Sequence, residues 1–410
     1  MRRDLIMTMK LANDLGNSVV KATFGDNYGI EFPSVIAVQQ PQNIGAPVTF
    51  DDQQQEIEYM NHFMDHLDAS ISSSAVKLQG RFFVGPAAVE SQLPLSTFDL
   101  NDFGGKADDD LSLILTLSMI AGKRVMEAVA KGEDLAETLN VTVKMATALP
   151  IAEGKRQGVR EAYQKRYLDQ SHTVIFHNFK NPITVKVTFE QVFVALEGEV
   201  AQFYIKYAPE RLLKAMMKDL QQNYPDVAEM VTMDDIKAVQ NALGVDIGGK
   251  TVDIASVVNG QVNTVASSSM WRGYATVLQN AIEILQSQQM NFDNPVQLSD
   301  YLSRQVSSFA RGHQERVRKI VYEQLEPFAD QIVEEVSKDL RQAGARPELV
   351  FVYGGGSIPM GLQSNLRAKL VEKIRHFNGG DDIPVIWIDQ EFAQGMNLRG
   401  LELVLKSMGN

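Results

Sequence analysis

The chain has 410 residues, enough for two domains or two halves of one large enzyme, and the composition of a soluble globular protein. It holds no cysteine, which excludes disulfides, thiolate metal sites and a cysteine nucleophile and makes a reducing, cytoplasmic setting the expected one. A net charge of −12 argues against direct binding to nucleic acid, and neither a signal-type apolar core after Met1 nor an apolar run of bilayer length is present, so no membrane contact is expected.

In chain order, an apolar run from about Ile6 leads into Leu11-Ala-Asn-Asp14-Leu-Gly16-Asn17-Ser18-Val-Val-Lys21-Ala-Thr-Phe24. The β-branched residues on either side predict two strands joined by an Asp-x-Gly turn. Glycine there lets backbone amides approach an anion, and Lys21 can reach back toward it. Alone, the turn reads more readily as a hairpin whose Asp and Gly serve only geometry. Residues 39–79 are polar, with one helical piece over Gln54–Leu67; His62 and His66 would share its face, but no third ligand accompanies them, and the face reads as solvated. A strand near Gln79–Gly85 returns to the main body, so this region reads as a small inserted subdomain. Asp108–Lys131 predicts an amphipathic helix burying one face through Leu111, Ile114, Leu115, Met119 and Val125. Val141–Leu149 is a strand closed by Pro150, Gly154–Tyr167 a solvated helix, and Val174–Phe189 a pair of strands about Asn181-Pro182. A helix is expected over Glu190–Tyr207 with Glu190 and Gln191 at its start, where a carboxylate is also a good first-turn residue. Pro209–Leu243 is mostly helical, and its Met216, Met217, Met230 and Met233 read as packing residues.

The most informative stretch follows: Gly244-Val-Asp246-Ile-Gly248-Gly249-Lys250-Thr251-Val-Asp253, resuming as a strand that ends at the hairpin signal Asn259-Gly260. Gly244 to Thr251 satisfies the spacing of a P-loop, which needs a strand before its first glycine and a helix after its threonine. Here the order is reversed, with Met233–Leu243 helical in pattern and β-like residues after Thr251, so the stretch reads as strand, glycine turn, strand, with Asp246 at the turn's mouth. Helices are expected over Ala275–Gln288 and His313–Ala343. Leu349–Tyr353 then forms a buried-type strand running into Gly354-Gly355-Gly356-Ser357, which leaves room for a ligand against the backbone. A last strand, Ile383–Ile388, precedes a closing helix opened by Asn397-Leu-Arg399-Gly400.

This ordered set resembles the actin, heat-shock chaperone and sugar-kinase ATPase superfamily, and within it the bacterial actin-like proteins of the ParM (StbA) type, which segregate plasmids. The resemblance spans most of the chain. It implies an α/β, actin-like fold: two RNase H-like halves with mixed five-stranded sheets flanking a nucleotide cleft, each with an inserted subdomain. Residues 1–208 plus 390–410 would form half I (insertion about 39–108), 209–241 a helical linker, and 242–389 half II (insertion about 276–344). Asp14, Gly16, Asn17, Ser18 and Lys21 would form the first phosphate loop, and Gly248, Gly249, Lys250 and Thr251 the second, although Lys250 stands where these families often have Thr or Gly. Gly354, Gly355, Gly356 and Ser357 would contact the adenosine, and Ala148-Leu149-Pro150 and Asn397-Leu-Arg399-Gly400 would be the connecting segments. Asp14 and Asp246 would hold Mg²⁺ through its water shell, and Glu190, with Gln191 as fallback, would act on the attacking water beside Asp246. The implied activity is hydrolysis of ATP (or GTP) coupled to turnover of a filament of the protein itself, which moves plasmid DNA through a DNA-binding adaptor of the ParR type on a centromere-like site. A small-molecule kinase, or a chaperone or division scaffold, are the alternatives.

Overall fold

The structure is a computed structural model that describes residues 8–25, 28–99, 104–344 and 346–409. Residue contacts divide the chain into two units: the described residues of Met1–Leu149, Glu153–Leu196 and Leu401–Asn410 in the first, and Pro150–Ala152 with Glu197–Gly400 in the second. No described helix is long and apolar enough to cross a membrane.

The first unit is built on one ten-stranded mixed sheet. Its strands are β1 (Thr8–Leu15), β2 (Val19–Phe24), β3 (Gly29–Pro33), β4 (Val35–Val38), β5 (Asp68–Ser72), β6 (Arg81–Val84), β7 (Leu95–Thr97), β8 (Leu139–Leu149), β9 (His172–Phe176) and β10 (Ile183–Leu196), in the spatial order β3-β2-β1-β8-β10-β9-β5-β6-β4-β7. Five neighbouring strands, β3-β2-β1-β8-β10, form the expected half-sheet. The strands of the polar segment, read as an insertion, continue the same sheet through β9 and β5. β1, β8 and β10 run parallel at the centre, where the end of β8 from Ala146 to Leu149 is buried. A parallel strand covered on both sides loses its polar alternation, as this run does.

Two sequence expectations are corrected here. The helix Asp110–Lys131 buries its whole circumference from Leu111 to Val125 instead of a single stripe, because it packs against β8, β9 and β10 and also against the 3-10 turn Phe63–His66. Burial extends to Lys123 and Arg124, whose charges are met by Glu127 at 3.2 Å and by Glu133, as buried charges require. The second correction concerns Glu190–Tyr207. β10 runs on to Leu196, and the helix covers only Glu199–Lys206. The two adjacent polar residues Glu190 and Gln191 broke the strand alternation because Glu190 is the extra residue of a β-bulge: Phe189 pairs with Val143 and Gln191 already with Lys144.

The second unit carries β11 (Ala242–Ile247), β12 (Val252–Val258), β13 (Gln261–Val262), β14 (Ser268–Met270), β15 (Leu349–Tyr353) and β16 (Val385–Trp387), ordered β13-β12-β11-β15-β16 with β14 also on β12. β11 and β12 form the expected antiparallel hairpin, and every residue of β15 is buried, as its uninterrupted apolar run predicts. At the far end of β12, Asn259 and Gly260 have φ of 51° and 72°, the left-handed pair that a two-residue hairpin turn needs. The single helix expected over His313–Ala343 is two, Ser308–Glu323 and Leu325–Ala343. Pro327 explains the break, since proline is tolerated in a first turn and not in a helix interior. Of the packing methionines, Met216 is buried but Met230 is 75% exposed.

In the first unit His172 is fully buried, with Nε2 donating to the Tyr167 carbonyl at 3.0 Å and Nδ1 accepting from the Ser73 hydroxyl at 2.8 Å. Burial pushes its pKa below the ordinary 6.5, and His177 is held down in the same sense by burial and by Arg81. The folded state therefore resists a proton that the unfolded chain accepts: stability is full above about pH 6.5 and is lost as pH falls toward the depressed folded values, at up to ~1.4 kcal/mol per pH unit for each group. Thermal melts between pH 7.5 and 5.5 should show a falling midpoint, with a smaller slope in His172→Gln; an unchanged slope in that variant would assign the effect elsewhere.

Candidate functional site

The first glycine turn joins β1 to β2. Asp14 and Lys21 are direct cross-strand partners, so their side chains share one face of the sheet at the turn's mouth. Gly16 closes the turn with its N–H on the Asp14 carbonyl at 3.0 Å, and a Cβ there would collide with the Val19 carbonyl. The turn's carbonyls are bonded from behind. The Ser34 hydroxyl donates to Gly16 O at 2.6 Å, the Ser34 N–H to Ser18 O at 2.9 Å, and the buried ammonium of Lys106 to Leu15 O at 2.8 Å. In a trans peptide the N–H points opposite to the C=O, so fixing Gly16 O turns the Asn17 N–H outward. Lys106 is itself seated by Glu153, whose carboxylate accepts from the Lys106 and Ala107 N–H groups at 3.2 and 2.6 Å, and burial pushes the pKa of Glu153 up. Asn13 ties the end of β1 to the long helix by donating to Thr116 Oγ1 at 3.0 Å.

The second turn, between β11 and β12, uses the same device with different donors. Gly248 N–H donates to Thr251 O at 2.9 Å, closing the turn. Its carbonyls face the start of the helix Tyr274–Ser287: Tyr274 N–H donates to Gly248 O at 3.0 Å and Ala275 N–H to Gly249 O at 2.7 Å. The helix's unsatisfied first amides are thus spent on the turn. The N–H groups of Gly249 and Lys250 consequently point away from the helix. Gly273 permits the approach, because a Cβ would lie 2.5 Å from the Gly249 carbonyl oxygen and 2.6 Å from Lys250 N.

Asp246 ends β11 beside this turn, 8% exposed, directly opposite Asp253, 2% exposed. Asp246 Oδ2 accepts from Asn397 Nδ2 at 2.7 Å; Asp253 Oδ1 accepts from Ile151 N–H at 3.2 Å and from the Ser269 hydroxyl. Asn397 bonds at both ends, its Oδ1 accepting from Gly198 N–H at 3.1 Å. The peptide it holds is that of Glu197 and Gly198, between β10 and the following helix, and Glu197 is buried at 8% exposure. Glu190, by contrast, is half-exposed on the bulge of β10 and pairs with Lys144 at 3.3 Å; Gln191 beside it is exposed. Glu197, which the sequence reading did not name, thus adjoins the peptide that Asn397 ties to Asp246, and Glu199 opens the helix after it. The signal was present: the apolar run Val192–Leu196 ends in Glu197-Gly198-Glu199 once the bulge is allowed for.

Gly354, Gly355 and Gly356 follow β15 as expected, and two of them are needed by the protein itself. Gly354, at φ 91°, lies so close to Asp246 that a Cβ would strike Oδ1, and Gly356 donates to the Ile247 carbonyl at 2.7 Å. Ser357 is buried and spends its hydroxyl on the Gly354 carbonyl at 2.7 Å. Gly244, the first glycine of the P-loop spacing, lies inside β11 against Gln202 and the Tyr353 hydroxyl, and that hydroxyl's pKa is raised by burial first and then by Asp246. The histidines first weighed as ligands are engaged locally: His62 pairs with Asp65 at 3.4 Å and His66 stacks on Tyr59 with ring centroids 4.6 Å apart. Among the described residues, no three His, Cys, Asp or Glu side chains cluster as a direct metal site.

Two family models match the chain: actin-like proteins, N-terminal domain, over residues 12–199, and archaeal actin homologue MreB-like, C-terminal, over residues 244–366. No curated protein matches. Among solved structures, the actin-like protein Alp7A is 15% identical with a TM-score of 0.66, covering 98% of this chain and 97% of its own. The archaeal actin homologue Ta0583 is 14% identical with a TM-score of 0.61, over 98% and 100%. Bacillus thuringiensis ParM, solved with ADP, is 14% identical with a TM-score of 0.54, over 98% and 99%. At these identities the likeness shows the fold.

The clamp on the second turn makes a direct expectation. Gly273→Ala should force the helix start off Gly249, costing about 1–3 kcal/mol as an overpacked contact. A thermal melt should show a lower midpoint; a variant as stable as the parent would remove the clamp from the account.

Proposed function

The chain is an actin-like protein, and from that premise we propose that it is an ATPase whose hydrolysis of ATP (or GTP), with Mg²⁺, sets the lifetime of a filament made of its own copies. The observation that carries this reading is the paired design of the two turns, each with its carbonyls bonded from behind and its amides turned outward. Amides fixed in this way act as preorganised donors to phosphate oxygens and cost no reorganisation when the ligand arrives. Lys21 and Lys250 would add positive charge to the phosphates, and Gly354, Gly355, Gly356 and Ser357 would border the nucleoside.

Asp14 and Asp246 would hold Mg²⁺ through its water shell, each being a nearly buried carboxylate at the mouth of its own turn. When bound, the cation would neutralise phosphate charge. We assign the water-orienting role to Glu197, held at the peptide that Asn397 links to Asp246, with Glu190 and Gln191 as the competing candidates. The finer reading is a cytoplasmic filament that segregates or positions plasmid DNA through a DNA-binding adaptor of the ParR type. The net charge of −12 supports contact with DNA through such an adaptor and not directly.

Phosphate release and 90° light scattering, followed together after adding ATP and Mg²⁺, test the reading. The parent should scatter, then decay as phosphate appears. Glu197→Gln should bind nucleotide normally, slow release by about 10²–10⁴-fold and prolong scattering, whereas Glu190→Gln should behave as the parent. The opposite result would return the role to the bulge residue. ADP formation that requires an added small-molecule acceptor, with the phosphoryl group on that acceptor, no free phosphate and no scattering, would make the protein a kinase on the same fold.

A further inference from the structure

A file of buried polar groups runs behind the first turn, inside the first unit. It leaves strand β1 at Asn13, whose Nδ2 donates to Thr116 Oγ1 at 3.0 Å on the helix Asp110–Lys131. Thr116 is hydrogen-bonded to the Tyr167 hydroxyl, which meets the Tyr163 hydroxyl at 2.9 Å, and Tyr163 is hydrogen-bonded to Ser112. Both tyrosines lie on the helix Val159–Leu168. The Ser112 hydroxyl donates to the Lys106 carbonyl at 2.7 Å, and the Lys106 ammonium returns to β1 at the Leu15 carbonyl. The result is a circuit that leaves and rejoins β1 on either side of Asp14. None of its side chains is more than 4% exposed.

The two ends fix the direction of every link. An amide N–H can only donate, a backbone carbonyl can only accept, and each hydroxyl has one proton. Ser112 spends its proton on the Lys106 carbonyl, so Tyr163 donates to Ser112, Tyr167 to Tyr163 and Thr116 to Tyr167. Bonds that run the same way polarise one another in a low-dielectric interior. Burial pushes the pKa of both tyrosines above the ordinary 10, so both keep their protons. Packing alone does not need these hydroxyls. The two rings meet edge to face with centroids 5.2 Å apart, and Tyr167 meets Phe189 at 5.1 Å, contacts that phenylalanines would make without burying a polar group.

We propose that Tyr163 and Tyr167 are positioning residues for phosphate at the first turn, a role that deepens the nucleotide reading above and rests on it. At 1% and 0% exposure they meet no ligand and act along the circuit, toward Asn13 on one side of Asp14 and through Lys106 toward the Leu15 carbonyl on the other. With Leu15 O held, the peptide plane turns the Gly16 N–H back onto the Asp14 carbonyl at 3.0 Å. The carboxylate and the turn amides thus keep one arrangement before a ligand arrives. Lys106 stays seated without the tyrosines, because Glu153 accepts from the Lys106 and Ala107 N–H groups and Arg166 donates to the Ala107 carbonyl at 2.6 Å. Loss of a tyrosine hydroxyl therefore loosens the turn without unfolding the unit.

The test compares Tyr163→Phe, Tyr167→Phe and the double variant in the full chain. Each is titrated by calorimetry, with Mg²⁺, against a non-hydrolysable ATP or GTP analogue, whichever the parent binds, and against the matching monophosphate, which lacks the β- and γ-phosphates. Each single variant should bind the triphosphate analogue about three- to tenfold more weakly, the effect of one hydrogen bond, and the monophosphate as the parent does. The double variant should be no weaker than either single one, because a file broken once is already broken. Thr116→Ser keeps a hydroxyl in the circuit and should bind as the parent does. Thr116→Val removes it and should match the tyrosine variants, which reads the same circuit should a phenylalanine variant fail to fold. Unchanged triphosphate affinity, an equal loss for the monophosphate, or losses that multiply in the double variant would each overturn the positioning role and leave the nucleotide reading standing. A parent that binds neither triphosphate overturns that reading, and the positioning role with it.

Discussion

The candidate site depends on one constraint of the peptide group: its N–H and C=O point in opposite directions, so whatever holds the carbonyls of a turn decides where its amides point. In the first unit the holders are Ser34 and Lys106; in the second they are the first two amides of the helix Tyr274–Ser287. Glycine-rich turns are costly to order, at about 1–2 kcal/mol of backbone entropy per residue. A neutral hydrogen bond returns about 0.5–1.5 kcal/mol and one from a buried ammonium about 1.5–3 kcal/mol, so a turn of three residues is held only when several donors act together. That accounts for three bonds from behind on the first turn, one of them charged, and for a helix end on the second.

This constraint also divides what the sequence could tell from what it could not. The turns themselves were legible, because Asp14-Leu-Gly16 and Asp246-Ile-Gly248-Gly249 lie between β-branched runs whose alternation is local. So were β15 and its glycines. The clamps were not, since Ser34 and Lys106 reach their turn from positions with no periodic relation to it, and nothing local marks a lysine that will be buried against a carbonyl. The helix over Glu190–Tyr207 failed for a related reason. A β-bulge mimics a strand end in sequence, and only the pairing of Gln191 with Lys144 shows that the strand goes on.

The glycines illustrate a second limit. In sequence, Gly354 reads as room for a ligand and Gly400 as part of a connecting segment, whereas Gly244 belongs to the P-loop spacing and Gly273 leads into a helix. The structure fills the space at each with protein: Gln202 and Tyr353 at Gly244, the turn at Gly273, Asp246 at Gly354 and the Val200 carbonyl at Gly400. Glycine density here marks close approaches within the second unit, one of them, at Gly354, onto Asp246. Asn397 is the polar counterpart of the same crowding. One amide satisfies a buried carboxylate and the Gly198 peptide at once, so the positions of Asp246 and Glu197 are set by a common side chain.

The helix Tyr274–Ser287 joins the second turn to the inserted helices of the second unit. One end orients the amides of the turn, and the other leads to the helices Pro295–Ser303 and Ser308–Glu323, against which it packs. A shift of the turn reaches those helices by this route through two backbone hydrogen bonds. Each is worth about 0.5–1.5 kcal/mol, so the route carries at most about 1–3 kcal/mol. That corresponds to roughly 5–150-fold in an equilibrium constant, the ordinary range of coupling between sites.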